Sequence, residues 1–302
     1  MACSQGMQTV IKLLKQFQES LEGNQNIQAI RDGLEQIAAL AKISVDVTCE
    51  PTDAGGVPAE WISTPSSIEN NLTLYLHGGG WIAGSINTHR DLAARISRAA
   101  KTHVLIIDYR LAPEHPFPEG LNDCLTAYNW ILSKGIKPEN LIIAGDSAGG
   151  NLTLASLIKL RDKGTPLPAA AVCLSPVTDL TLSGESYKTK AELDPSVKRE
   201  DIEFMVTQYV NLKDRQNPLV SPLYADLRDL PPILIHVGTA EVLYDDSIRF
   251  AKQAKEAGVD VTLEVFENMI HVFHTFAPLA PEGQEAIEKI AEFILSRIGS
   301  KY

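Results

Sequence analysis

Apolar residues follow two alternating patterns along most of this chain. Continuous apolar runs predict eight strands, near residues 45–51, 57–63, 71–76, 103–108, 141–145, 170–174, 233–238 and 261–266. Apolar residues spaced three or four positions apart predict helices near 88–100, 118–133, 148–162, 200–211, 245–257 and 283–298. Central runs such as 104–107 and 233–235 are apolar throughout, which is typical of strands buried on both faces of a parallel sheet. We therefore expect an open α/β fold, with helices on both faces of an eight-stranded, mostly parallel sheet.

Two segments fall outside this alternation. Residues 1–43 have helical apolar spacing over 7–21 and 27–42, and residues 180–212 form a charged insertion that breaks the strand rhythm. Ligands of open α/β sheets bind beyond the carboxyl ends of the strands, so helices that cover that edge would act as a lid. We expect residues 1–43 to be cap helices on an α/β domain at 44–302, with 180–212 contributing to the cap. The alternative is that both segments decorate the surface.

Composition limits the partners to expect. Of the 302 residues, 44% are hydrophobic and 22% are charged, which suits a single domain with a large core. The net charge is −11 and no run of lysine and arginine occurs, so we expect no nucleic-acid partner. With no signal-peptide pattern and no apolar run near eighteen residues, we expect a cytoplasmic protein without membrane contact. The four cysteines of the chain are Cys3, Cys49, Cys124 and Cys173. Their spacing shows no pairs, which predicts reduced thiols and no metal site.

The sequence Gly145-Asp146-Ser147-Ala148-Gly149 is the first candidate for chemistry. It follows the apolar run 141–144 and precedes the helical spacing of 151–161, so it lies in a strand, turn and helix. In that context a Gly-x-Ser-x-Gly turn exposes its serine hydroxyl at the edge of the sheet. The alternative is an ordinary strand-to-helix turn. The context favours Ser147 as a nucleophile.

A glycine-rich loop, His77-Gly78-Gly79-Gly80-Trp81, follows the predicted strand 71–76. Successive glycines leave backbone N–H groups uncovered, so that they can approach a developing oxyanion. We expect Gly78 and Gly79 to form an oxyanion hole with the N–H of Ala148, the residue after the nucleophile. A flexible loop and a phosphate-binding loop are the alternatives, although the Gly-Lys-Ser/Thr ending of the latter is missing.

A serine nucleophile needs a base, and three histidines follow it in the chain. His236 lies inside the apolar run 233–238, which predicts a core residue, and His274 is placed to pack in the element that follows. His271 lies in the loop after the strand 261–266, at the strand end where the serine also emerges. We therefore expect His271 to be the base.

The acid that orients the base must come from another strand end. Glu241 lies three residues after the predicted strand 233–238, in a loop. Asp245 comes later, where a carboxylate would suit the first turn of the next helix. We expect Glu241 to be the acid and keep Asp245 as the alternative.

Three motifs together resemble the hormone-sensitive lipase (bacterial family IV) esterases of the α/β-hydrolase superfamily. They are the glycine loop at 77–81, the sequence YRLAPEHPFP at 109–118 and GDSAGGN at 145–151. The resemblance extends from about residue 60 to the end of the chain. This chain has Glu241-Val242 where the family more often has aspartate and proline, and Asn268 where the family often has glycine.

The resemblance implies an α/β-hydrolase fold with a helical cap and a serine carboxylesterase, whose catalytic domain would be residues 44–302. The expected reaction is hydrolysis of short to medium acyl esters by Ser147, His271 and Glu241 through an acyl-enzyme, without a cofactor. A lactone hydrolase on the same framework and a non-catalytic small-molecule binding protein are the alternatives. The resemblance also suggests a homodimer through the edge strand near 261–266, and a monomer is the alternative that the composition allows equally. The expected walls of the substrate pocket are Trp81, Ile82, Val272 and Phe273.

Overall fold

The computed structural model of the chain describes residues 3–21, 26–39 and 41–298. Its eight strands are β1 (Thr48–Asp53), β2 (Pro58–Ser63), β3 (Leu72–Leu76), β4 (His103–Ile107), β5 (Leu141–Asp146), β6 (Ala170–Leu174), β7 (Ile233–Gly238) and β8 (Val261–Phe266). Its α-helices are α1 (Gln5–Leu21), α2 (Ile27–Ala38), α3 (Ile86–Ala100), α4 (Glu119–Ser133), α5 (Ala148–Asp162), α6 (Ser186–Thr189), α7 (Arg199–Tyr209), α8 (Tyr244–Glu256) and α9 (Pro281–Arg297).

The strands form one sheet in the order β1-β2-β4-β3-β5-β6-β7-β8. β2 pairs antiparallel with both of its neighbours, β1 and β4, and every other pair of neighbouring strands is parallel. The parallel pairs arise because a helical crossover returns the chain to the same edge of the sheet before the next strand. The prediction of an eight-stranded, mostly parallel sheet flanked by helices is confirmed. The carboxyl ends of β3, β5, β6, β7 and β8 therefore meet at one edge of the sheet.

Alternate residues of the central strands enter two different cores. Leu74 of β3 belongs to the core shared with α4, α5 and α8, whereas Tyr75 belongs to the core shared with α3 and α9. Both residues are at most 1% exposed. A strand with a helix layer on each side must be apolar at successive positions, which explains the continuous apolar runs of the sequence.

The first strand differs from its prediction. It runs over Thr48–Asp53 instead of 45–51, because a tight turn joins it to β2. The N–H of Ala54 donates to the carbonyl of Val57 across that turn, and the two glycines between them have positive φ. This hairpin extends the pairing to Asp53 and leaves Val45 outside the strand.

Helices α1, α2 and α7 contact the loops at the carboxyl edge of the sheet. Met7 and Val10 of α1 pack in a small core with Ile270 and Phe273, on the loop that follows β8. Gln18 also donates to Asp201 of α7 through a 2.6 Å hydrogen bond. These contacts agree with a cap. The proposed division into cap helices at 1–43, an α/β domain at 44–302 and a cap contribution from 180–212 stays a prediction. Residues 1, 2, 22–25, 40 and 299–302 lie outside the described residues.

The edge strand β8 leaves Val265 43% exposed. The homodimer expected through this strand stays a prediction. Among the residues that the structure describes, no helix is long and apolar enough to cross a membrane.

The contact of α1 with the loop after β8 leads to a stability prediction. Met7 is fully buried, so replacing it with alanine leaves a cavity and should lower the free energy of unfolding by about 2–5 kcal/mol. Leu13 on the same helix is 54% exposed, so Leu13→Ala is a matched control with an expected loss below about 0.5 kcal/mol. Urea unfolding of both variants measures the difference, and equal losses would show that α1 is not anchored through Met7.

Candidate active site

Ser147 occupies a strained turn between β5 and α5, with φ of 52° and ψ of −117°. The flanking Gly145 and Gly149 are required, because a Cβ at either position would collide with backbone atoms, among them the Leu76 carbonyl. The N–H of Ser147 donates to the carbonyl of Leu174 at the end of β6, over 2.8 Å. Ser147 is half-buried while its neighbours in the turn are buried, so the turn exposes the serine alone.

His271 and Glu241 form a direct hydrogen bond at the same edge of the sheet. The His271 Nδ1 and Glu241 Oε2 atoms are 2.9 Å apart, and the glutamate is completely buried. The other carboxylate oxygen accepts the N–H of Gly238 over 2.5 Å and the hydroxyl of Ser175 over 3.0 Å. A carboxylate fixed in this way holds the imidazole with Nδ1–H as its donor and leaves Nε2 free to accept a proton.

The alternative acid, Asp245, has a different partner. Its carboxylate accepts the N–H of Ser186 over 2.8 Å, and its own N–H donates to the Ser186 hydroxyl. This exchange secures the short helix α6 against the first turn of α8. Of the two acids that the sequence offered, Glu241 is the one in contact with His271.

The other two late histidines pair with each other. The His236 Nδ1 and His274 Nε2 atoms are 3.1 Å apart, and both side chains are completely buried. Burial lowers the pKa of His274 to about 3 and that of His236 well below its ordinary value, so both rings are neutral. They are core residues, and His271 is the half-buried histidine of the three.

Charge on the hydrogen-bonded pair is set by two opposing effects. Burial disfavours the charged imidazole of His271, but the hydrogen bond and the charge of Glu241 outweigh burial and raise its pKa. Burial also raises the pKa of Glu241, against the hydrogen bonds from His271 and Gly238 that favour the carboxylate. Glu241 is therefore placed to stabilise an imidazolium whenever His271 gains a proton.

Ser175 is a site residue that the sequence analysis missed. It follows β6, has φ of 46° and is completely buried. Its hydroxyl donates to Glu241 and accepts the N–H of Val272 over 3.3 Å, so it joins the acid to the loop of His271. Its position directly after the predicted strand 170–174 was the only available signal.

One glycine of the loop is arranged differently from the expectation. The N–H of Gly78 donates to Asp146 Oδ1 over 3.1 Å and lies 3.3 Å from His89 Nε2, so it is turned into the protein. The oxyanion hole itself stays a prediction. The hydrogen bonds of the described residues leave the N–H groups of Gly79, Gly80 and Ala148 without a protein acceptor. Within the loop, the N–H groups without an acceptor in the described chain are therefore those of Gly79 and Gly80, while that of Gly78 is engaged.

His77 explains the orientation of the Gly79 N–H. Its Nδ1 lies 2.8 Å from the carbonyl oxygen of Gly78, which can only accept, so His77 is the donor. The carbonyl of Gly78 and the N–H of Gly79 belong to one planar trans peptide and point in opposite directions. Anchoring the carbonyl on His77 turns the N–H of Gly79 away from the core.

The residues expected to wall the pocket are packed more deeply than expected. Ile82 and Phe273 are fully buried, in the main core and against α1 respectively, so both pack in the interior, and their place in a substrate pocket stays a prediction. Val272 is 6% exposed, and Trp81 is 2% exposed and stacks on Tyr209 of α7 with ring centroids 4.7 Å apart.

The Met205 side chain of α7 lies against Gly80, in the space that a side chain at that position would occupy. This contact brings α7 against the glycine loop. Over the described part of the chain, no group of three or more histidine, cysteine, aspartate or glutamate side chains is arranged to hold a metal ion.

A serine elbow, a histidine paired with a buried carboxylate, and backbone amides without an acceptor among the described residues, all at one sheet edge, are the features of an α/β hydrolase. Residues 73–275 match the family described as having the alpha/beta hydrolase fold. An acetyl-hydrolase of Streptomyces hygroscopicus is 42% identical over 245 residues, covering 81% of this chain and 82% of the relative. An esterase of Acinetobacter venetianus is 37% identical over 270 residues, covering 89% of this chain and 88% of the relative.

Solved structures give the same assignment. The crystal structure of an esterase from the bacterial hormone-sensitive lipase family is 44% identical, with a TM-score of 0.95 over 99% of this chain and 100% of that one. A hormone-sensitive lipase homologue from a metagenome library, EstE7, is 38% identical, with a TM-score of 0.92 over 99% and 100%. The chain belongs to the α/β hydrolase fold family and, within it, to the bacterial hormone-sensitive lipase esterases.

The His271–Glu241 contact predicts a measurable change in ionisation. Replacing Glu241 with glutamine removes the negative charge that stabilises the imidazolium, so the pKa of His271 should fall. NMR titration of the histidine Cε1–H signals measures this pKa, and the loss of one signal in His271→Asn assigns it. Asp245→Asn is the matched control and should leave the pKa in place. A pKa that responds to Asp245 instead of Glu241 would contradict the pairing.

Proposed function

We propose that this esterase hydrolyses short to medium acyl esters through an acyl-enzyme, with Ser147 as nucleophile, His271 as base and Glu241 as the acid that orients it. The observation that carries the proposal is the 2.9 Å contact between His271 Nδ1 and the buried Glu241 carboxylate. This contact lies at the sheet edge where the strained turn exposes Ser147, and it leaves Nε2 of His271 free for the serine proton.

The proposed reaction has two proton-balanced halves. As Ser147 Oγ bonds to the ester carbonyl carbon, its proton passes to His271 Nε2 and the carbonyl electrons move to oxygen. Collapse of this tetrahedral species breaks the bond to the alcohol, which takes the proton from His271. Water then attacks the acyl-enzyme with His271 again as base, and collapse releases the acid and restores Ser147.

The developing oxyanion would be stabilised by the N–H groups of Gly79, Gly80 and Ala148. Support for this assignment is that these three amides have no protein acceptor among the described residues, whereas the Gly78 amide is already engaged. Ala148 is also the first residue of α5, where the helix dipole adds partial positive charge. Loss of one such donor typically costs about 10²–10³-fold in rate, so the position of the loop matters.

The proposed acyl-length range rests on how α7 meets the loop. Large side chains of α7 lie over the loop close to the proposed amide donors. Met205 lies against Gly80, and Tyr209 stacks on Trp81. A long acyl chain would have to displace these contacts, whereas an acetyl or butyryl group would not. The name of the Streptomyces relative, acetyl-hydrolase, agrees with a short acyl group.

Removing the nucleophile tests the first half of the reaction. Ser147→Ala should lower kcat for p-nitrophenyl butyrate by about 10⁴-fold or more, because no other group at the site replaces the serine oxygen. A fluorophosphonate should label the wild-type protein on Ser147, as located by peptide mass spectrometry. The exposed Ser133 supplies the control variant Ser133→Ala, which should keep full activity and labelling. Label on another serine would overturn the assignment.

A substrate series tests the rest of the proposal. Among p-nitrophenyl esters from C2 to C12, kcat/KM should be highest at C2–C8 and should decline for longer chains. Lactones should be hydrolysed more slowly than the best open-chain ester. A maximum at C12 would exclude the proposed cover by α7, and faster lactone turnover would favour the lactone hydrolase instead.

A further inference from the structure

A second buried carboxylate and imidazole lie beneath the glycine loop, and the proposed triad does not use them. Asp146 directly precedes Ser147 and is 3% exposed. Its Oδ1 accepts the hydroxyl of Tyr75 over 2.8 Å and the N–H of Gly78 over 3.1 Å. Its Oδ2 is 3.3 Å from Nε2 of His89, on the first turn of α3. One carboxylate thus contacts both the nucleophile's turn and the glycine loop.

The contacts of His89, together with the charge of Asp146, favour the imidazolium form of its ring. The Thr88 hydroxyl donates to the carbonyl of Ser85 over 2.9 Å, so its oxygen is the acceptor for His89 Nδ1, 2.7 Å away. On the other side of the ring, the carboxylate of Asp146 accepts from Nε2. The N–H of Gly78 also lies 3.3 Å from His89 Nε2, but its shorter contact, 3.1 Å, is with Asp146 Oδ1, which leaves Nε2 to donate to Oδ2. We infer that both ring nitrogens carry a proton and that the ring is positively charged.

The titratable neighbours agree with this charge state. Burial opposes the charged form of His89, but the attraction of Asp146, with smaller contributions from Ser85 and Glu35, raises its pKa. Burial would raise the pKa of Asp146, and His89 and Tyr75 lower it instead. His77 stays neutral because burial and the charge of His89 lower its pKa to about 3. The cluster thus holds one negative and one positive charge.

Charge compensation matters here because the reaction creates a negative charge nearby. A buried carboxylate without a partner would repel an oxyanion through a medium that screens poorly, and an imidazolium beside it cancels most of that field. We propose that His89 is a positioning residue of this esterase, which neutralises Asp146 and thereby allows Asp146 to hold the glycine loop without opposing the oxyanion. The inference rests on the proposed function, since it concerns the same oxyanion.

The contacts of Gly78 show what the carboxylate of Asp146 contributes to the glycine loop. Asp146 holds the N–H of Gly78 and His77 holds its carbonyl, so the peptides on both sides of this residue are fixed. The next N–H groups along the loop are those proposed to bind the oxyanion. A neutral acceptor would hold Gly78 more weakly, because hydrogen bonds to a charged group are stronger.

The test separates the charge of His89 from its shape. His89→Gln keeps a hydrogen-bond donor toward Asp146 but leaves the carboxylate uncompensated, so kcat/KM for p-nitrophenyl butyrate should fall about 10–100-fold, mainly in kcat. The double variant Asp146→Asn/His89→Gln removes both charges and should recover to within about tenfold of the wild type. His115 is exposed, and His115→Gln is the matched control with unchanged kinetics.

A second readout distinguishes positioning from a general loss of structure. Trifluoromethyl ketones form a tetrahedral oxyanion on the serine, so their inhibition constants should rise in parallel with the loss of kcat/KM in His89→Gln. KM should change little, whereas the melting temperature should fall in the single variant and recover in the double variant, because a buried charge without a partner destabilises the fold. If His89→Gln does not fold, the double variant decides the question through its recovery of activity.

Two results would overturn the proposal: wild-type kinetics in His89→Gln, or a double variant that fails to fold or stays as impaired as the single variant. Failure of the proposed function is distinguishable from both, because the wild-type protein would then hydrolyse no ester in the same assay and Ser147 would take no fluorophosphonate label.

Discussion

The adjacency of β3 and β5 is the constraint on which the rest of the site depends. The two strands are parallel and hydrogen-bonded, so the glycine loop and the serine turn leave the same edge side by side. Their backbones approach so closely that Gly145 and Gly149 leave no space for a side chain near Leu76. This closeness brings amide dipoles next to Ser147, and preorganised dipoles need no rearrangement when charge develops.

Two buried carboxylate–imidazole pairs flank that serine, and their environments give them different tasks. Glu241 pairs with His271, which is half-buried and has one ring nitrogen left for a proton in transit. Asp146 pairs with His89, whose two nitrogens are both engaged, so that ring has no open position for proton transfer. In the proposed reaction the first pair carries the proton, and in the role proposed for His89 the second pair balances a fixed charge.

Much of this arrangement could be predicted because it depends on chain order and strand ends. The sheet, the serine turn and the His271–Glu241 contact follow from apolar runs and from residues placed just beyond them. The engagement of Gly78 could not be predicted, since it depends on a side chain 68 positions away. Ser175 was missed for the same reason: its partners come from β7 and from the loop after β8.

Helices α1, α2 and α7, the proposed cap, contact the loops that carry the candidate site residues. Met7 of α1 packs beneath the loop of His271, Arg31 of α2 donates to the carbonyl of Ile82 over 2.7 Å, and α7 packs on Gly80. The base and the amide donors are thus each braced by a helix outside the sheet. If these helices form the proposed cap, the contacts that control access of a substrate are also the contacts that hold the proposed base and amide donors in place.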